Sequence, residues 1–360
     1  MKRVFISDCE GPISKNDNAF EVTAHFVPNG DRLFALISRY DDALADVLKK
    51  QGYSAGGTLK LILPFLKAHG VTDRQMTEFS AKNLILIAGS RDTLQHVRAI
   101  SSAFIVSTSY EYYIRALCKA LEFPYENTYC TQLSIDKYQL TQQEKSRLRE
   151  IAGEIAQMPM INIPPTAKGI KDFSNTDQKT ISRLDVIFLN EIARMRIGEI
   201  FSEVKPVGGE QKAEAIRDVV KKLRAPLEDV MYVGDSITDV EAFKLVRDNG
   251  GLTVSFNGNQ YAVKNAEIAV LSENSITTAI VVDLFCKLGK QQTLQVLENW
   301  NRVTLRKSAI SQPLLDRFFT LYPAALPKIQ IVIAQNMETL VKESSEFRKK
   351  VRGEDIGRLG

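Results

Sequence analysis

The sequence predicts an α/β fold: a three-layer parallel-sheet core, a helical module inserted after the first strand, and a helical C-terminal extension. Three observations predict it. Short β-branched runs at 3–7, 103–106 and 229–235 each stop abruptly at polar residues, namely Asp8 with Glu10, Ser107, and Asp235. Amphipathic helical stretches separate these runs, as expected of strand–helix–strand units. In an open parallel sheet the strand C-termini share one edge, so polar groups far apart in sequence converge there. The expected core is therefore Rossmann-like.

Each element follows from local pattern. RVFIS at 3–7 reads as a strand closed by the Gly11-Pro12 turn. Residues 17–88 carry helical stripes (Leu33, Phe34, Leu36, Ile37; then Leu59, Leu61, Ile62, Phe65, Leu66) and few strand signals. A helix near 91–100 leads into the strand 103–106, which ends at Ser107-Thr108-Ser109, and a further helix follows over 112–121. Residues 137–203 read as a second insertion, with helices near 142–156 and 181–201 flanking Pro164-Pro165. Lys212 opens an amphipathic helix in which Ile216, Val219, Val220 and Leu223 keep the helical spacing. A buried-type strand at 229–235 and shorter ones at 252–256 and 268–271 complete the sheet.

From 286 onward the pattern is helical, with Ile329, Ile333, Met337 and Leu340 in register. The charge run 342–352 reads as a solvated face. Trp300 and the apolar stripe suit core packing or a subunit interface, which makes a homo-oligomer through the C-terminal helices an expectation. The expected division is a core of 1–16 and 89–285 (with 137–203 inserted in it), a helical cap of 17–88, and the extension 286–360.

Composition excludes several classes. The chain has 360 residues, 44% hydrophobic and 25% charged, which is ordinary globular composition and leaves room for two or three folding units at roughly 100–200 residues each. Net charge is only +4, with no basic stripe interleaved with aromatics, so no nucleic-acid partner is expected. Cys9, Cys118, Cys130 and Cys286 form no C-x-x-C pair, and His25, His69 and His96 are scattered, so no zinc site is expected. Acidic residues interrupt the N-terminal apolar run, and no stretch reaches the ~20 apolar residues of a membrane span. A cytoplasmic protein with reduced thiols and no membrane contact is the expectation.

The strand-end residues and Lys212 suit phosphoryl transfer. One carboxylate can attack phosphorus and others can hold a hard divalent cation through oxygen. A lysine and a hydroxyl can then neutralise the phosphoryl oxygens.

Four segments appear in a recognisable order: D-C-E-G at Asp8–Gly11, Ser107 in IVSTS, Lys212 in GGEQKAEAI, and G-D-S-I-T-D at Gly234–Asp239. This set resembles the haloacid dehalogenase-like phosphohydrolases, most closely the phosphoserine-phosphatase-like branch, over roughly 1–130 and 205–285. The D-C-E-G-P turn is also similar to an archaeal set of uncharacterised members, some labelled subunit R of an energy-converting hydrogenase. The resemblance implies a magnesium-dependent phosphatase acting on a small phosphorylated metabolite. It implies Asp8 as the nucleophile that becomes an aspartyl-phosphate, Glu10 as acid/base, and Ser107 and Lys212 as phosphate ligands. Magnesium is implied at a carboxylate oxygen of Asp8, the backbone carbonyl of Glu10 and the side chain of Asp235. Asp239 is implied beside them, orienting Lys212 or a metal-bound water.

Two features qualify that pattern. The family's acid/base is normally Asp, and Glu10 adds one methylene. This motivates the alternative of a catalytically silent ligand-binding or accessory member. Thr108 and Ser109 can serve in place of Ser107. The implied cap offers Glu21, Arg32 and Lys60 as polar groups to read the leaving group. Cys9, beside the nucleophile, is a packing residue that supplies backbone.

Overall fold

A seven-stranded sheet lies at the centre of the computed structural model, which describes residues 2–51, 53–357 and 359. The strands are β1 (Val4–Ser7), β2 (Ser102–Tyr110), β3 (Thr128–Thr131), β4 (Val230–Gly234), β5 (Leu252–Phe256), β6 (Ile268–Leu271) and β7 (Lys328–Ile331). Their order is β3-β2-β1-β4-β5-β6-β7. The first six are parallel and β7 runs antiparallel to β6. The fold is thus the Rossmann-like α/β class that the strand–helix alternation predicts.

Alternation along the strands builds the three layers. Phe5, Ile105 and Met231 face one cluster with Leu94, Ile114 and Ile280, from the helices Ser90–Ile100, Glu111–Leu121 and Ile276–Glu298. Val4, Ile6 and Tyr232 face the other, with Ile216 and Phe243 from the helices Glu210–Leu223 and Val240–Asp248. β1 and β4 are buried along their whole length, as central parallel strands should be.

A third apolar cluster lies outside the sheet. It joins Phe34, Ile37 and Phe65 from the first insertion to Leu148, Ile151 and Phe188 from the second. Tyr40 stacks on Phe188 with ring centroids 5.8 Å apart. Residues 17–88 and 137–203 therefore pack as one helical layer. Several of its helices start at side-chain caps: Asp17 accepts from Phe20 N at 3.0 Å, and Thr141 forms a reciprocal cap with Glu144. No helix among the described residues is long and apolar enough to cross a membrane.

Three expectations need correction. The C-terminal region is not wholly helical, because Ile329 lies in β7, an edge strand fixed by its pairing with β6 rather than by helical register. The helix expected over 181–201 is Asn175–Val186 followed by short π and 3₁₀ segments. The run 342–352 is not a solvated face, since Arg348 and Arg352 in the tail helix Met337–Arg352 are 3% and 9% exposed.

Candidate active site

The parallel register brings the strand ends together. Ser7 pairs with Ile105 on one side and Val233 on the other, and Asp8 N donates to Val233 O at 2.8 Å. Asp8, Ser107 and Asp235 consequently lie at one sheet edge. Lys212 reaches this edge from the first turn of the helix Glu210–Leu223 and is fully buried.

Lys212 Nζ donates to Asp8 Oδ2 at 2.6 Å and to Asp239 Oδ1 at 2.7 Å. Burial alone would lower the Lys212 pKa, but the two carboxylates outweigh it and the net shift is upward. The other Asp8 oxygen accepts from Cys9 N at 2.6 Å, so Cys9 supplies backbone as expected. Burial raises the Asp8 carboxyl to about 7, against the attraction of Lys212 and with repulsion from Asp239 and Asp235.

Asp239 has both oxygens engaged. Oδ1 accepts from Lys212 and from Tyr232 OH at 2.6 Å, and Oδ2 accepts from the backbone of Asp235 at 2.8 Å and Ser236 at 3.0 Å. Burial would push this carboxyl up, but Lys212 and Tyr232 bring it below the usual range. Of the two roles implied for Asp239, these contacts favour orienting Lys212. Glycine at 234 permits the arrangement, because a Cβ there would lie 2.4 Å from Asp239 Cγ. Gly11 does the same for Asp235: a Cβ would stand 2.1 Å from Asp235 Oδ2, and φ is +102°.

Glu10 Oε1 accepts from Asn18 N at 2.7 Å, at the start of the first helix of the helical layer. Burial, then repulsion from Asp17, pushes the Glu10 carboxyl well above its ordinary range and favours its protonated form. Ser107 Oγ donates to Ser109 Oγ at 3.1 Å and accepts from Ser109 N at 3.2 Å. The neighbouring Thr108 hydroxyl is buried and has no hydrogen-bond partner.

A cavity of volume ≈ 100 Å³ opens between sheet edge and helical layer. Asp8, Glu10, Ser107, Thr108 and Asp235 line it from the core, and Phe34, Asp42 and Thr58 from the helical layer. Glu21, Arg32 and Lys60 do not line it: Glu21 is bound by Asn16, Arg32 donates to Met158 O, and Lys60 lies over the Tyr53 ring. Lys212 stands behind Asp8 rather than in the wall.

The donor set fits a hard divalent cation. One carboxylate oxygen from each of Asp8, Asp235 and Asp239 lies within 4.8 Å of the others, and all offer oxygen. Two residues absent from the expected site join it. Arg348 donates from Nη1 to Asp235 Oδ2, and Arg352 Nη1 stands 3.0 Å from the same oxygen. The signal that could have found them is their i, i+4 spacing on an otherwise amphipathic helix, which puts both on one face.

Comparison with known proteins gives the family. A family model described as haloacid dehalogenase-like hydrolase matches residues 96–296, more than half of the chain. The solved structure of gene product AF1437 from Archaeoglobus fulgidus is similar at 25% identity and TM-score 0.80, covering 100% of this chain and 99% of that one. An apo phosphoserine phosphatase structure aligns at 13% identity and TM-score 0.44, over 81% of this chain and 100% of its own, a likeness too slight to argue from. No curated protein matches.

Proposed function

Because this chain belongs to the haloacid dehalogenase-like hydrolases, we propose that it is a phosphoric monoester hydrolase acting on a small phosphorylated metabolite. The observation that carries this reading is the buried Lys212, shared between Asp8 and Asp239 directly behind the cavity wall that Asp8 forms. It presents a carboxylate held ionisable by an adjacent ammonium, next to an edge where hydroxyls and a second acid converge.

In the first step an Asp8 carboxylate oxygen attacks phosphorus, and the bond to the leaving oxygen breaks. Glu10, favoured in its protonated form, supplies a proton to that oxygen. In the second step water attacks the aspartyl-phosphate and Glu10 takes the water's proton, releasing phosphate and restoring Asp8. Lys212 neutralises charge beside Asp8, and the Ser107 hydroxyl hydrogen-bonds a phosphoryl oxygen. Asp239 and Tyr232 position Lys212 through the contacts described above. Magnesium, bound by Asp8, Asp235 and the Glu10 carbonyl, would supply charge neutralisation for the phosphoryl group. A cavity of ≈ 100 Å³ under a helical layer supports a small substrate rather than a polymer.

The test is phosphate release from a panel of small phosphomonoesters with magnesium. Release from at least one, abolished in Asp8→Asn, is the expected result. No release from any, or release that Asp8→Asn leaves intact, would overturn the reading.

A further inference from the structure

The tail helix delivers two positive charges to the acid assigned above as a metal ligand. Arg348 and Arg352 are both at least nine-tenths buried. Arg352 Nη1 and Arg348 Nη1 converge on Asp235 Oδ2, and Arg348 Nη1 also lies 3.3 Å from the Asp235 carbonyl. Arg352 Nε donates to Lys15 O at 2.9 Å and its Nη2 to Asn16 O, anchoring it to the segment that links β1 to the helical layer. Arg348 Nε is buried with no hydrogen-bond partner.

Two guanidiniums one helical turn apart repel each other, and burying them is costly without an anion. Asp235 is that anion. With Lys212, the two arginines set three positive charges against Asp8, Asp235 and Asp239, and Asp17 also faces the arginines. Here two full cations share one ligand oxygen in a water-poor site, where their repulsion of a third cation is little screened.

We propose that Arg348 and Arg352 are built-in counter-ions of Asp235 that compete with a divalent cation for it, so that the tail helix sets the metal affinity of the site. This rests on the reading of Asp235 as a metal ligand. Coupling is reciprocal, so metal binding loosens the last turns of the tail helix.

The probe is Mn²⁺, titrated into the full-length protein and followed by electron paramagnetic resonance. Arg348→Gln/Arg352→Gln is expected to bind Mn²⁺ at least about tenfold more tightly than wild type, because two close positive charges no longer oppose the ion. Arg348→Lys/Arg352→Lys, which keeps the charge, stays nearer wild type. If the double Gln variant does not fold, each single Gln variant is expected to show a smaller gain in the same direction. Unchanged or weaker binding in any folded Gln variant, with Asp235→Asn abolishing it, overturns the proposal alone. Binding that survives Asp235→Asn, or no Mn²⁺ binding in any variant, overturns the metal-ligand reading as well. In wild type, Mg²⁺ is expected to speed backbone hydrogen exchange over 345–352, and unaltered exchange there counts against the competition.

Discussion

Lys212 and Asp8 are 204 positions apart in sequence, yet Nζ and Oδ2 meet at 2.6 Å with the lysine fully buried. The contact exists because β1 and β4 are adjacent parallel strands and the helix before β4 packs over them. It makes the lysine inseparable from the two carboxylates it serves.

Lys212→Met should therefore be severe in two ways. Removing one partner of a buried ion pair leaves Asp8 and Asp239 without their cation, which costs about 3–5 kcal/mol. Urea unfolding should show that loss, and phosphate release should fall below detection. A stable, active Lys212→Met protein would contradict the assignment.

Asp239→Asn separates positioning from metal binding. Both Asp239 oxygens are occupied by Lys212, Tyr232 and backbone N–H groups. Phosphate release is expected to drop by about 10–100-fold while Mn²⁺ affinity changes little. A collapse of Mn²⁺ binding would instead make Asp239 a direct ligand.

Most of this site is legible in the sequence because it sits in short segments at strand ends. Asp8 and Asp235 follow strands directly, Lys212 lies in the first turn of its helix, and Ser107 lies within β2, which runs on to Tyr110 rather than ending at Ser107 as expected; parallel topology does the rest. Arg348 and Arg352 are different. Their ion pairs span 113 and 117 positions, and a helix alternating Lys, Glu and Arg looks solvated from its own pattern. β3 and β7 were hidden for a related reason. Each is four residues long at a sheet edge, half-buried, and defined by its partner strand rather than by apolar alternation. The shared core of the two insertions, as in Tyr40 on Phe188, is likewise a long-range pairing without local signature.

Glu10→Asp should lower turnover. The longer acid reaches Asn18 N at 2.7 Å, and a side chain one methylene shorter cannot keep that contact and the same carboxyl position. Displacement by about 1 Å can cost on the order of 100-fold in rate. Steady-state kinetics should show the loss in kcat. Faster turnover would mean that the site is handicapped by glutamate.

Asp42 predicts a pH dependence of stability. It is buried in the cavity wall, its Oδ2 accepts no hydrogen bond, and Arg39 Nη1 stands 3.7 Å away. Burial, then repulsion from Asp41, raises its carboxyl to about 8 from 3.8. The folded state thus holds a proton that the unfolded chain releases at lower pH, and stability falls as pH rises from about 4 to about 8. Asp42→Asn removes this contribution. Urea midpoints of the variant should decline less with pH than those of wild type, and identical pH profiles would show that Asp42 stays ionised in the fold.

Beryllofluoride mimics a phosphoryl group on a carboxylate, so it tests Asp8 as the phosphoryl acceptor without knowledge of the substrate. Fluorine-19 NMR of the protein with Mg²⁺ and beryllofluoride should show a bound resonance in wild type that is lost in Asp8→Asn. A wild-type spectrum with free beryllofluoride alone, or a bound resonance that persists in Asp8→Asn, would contradict it.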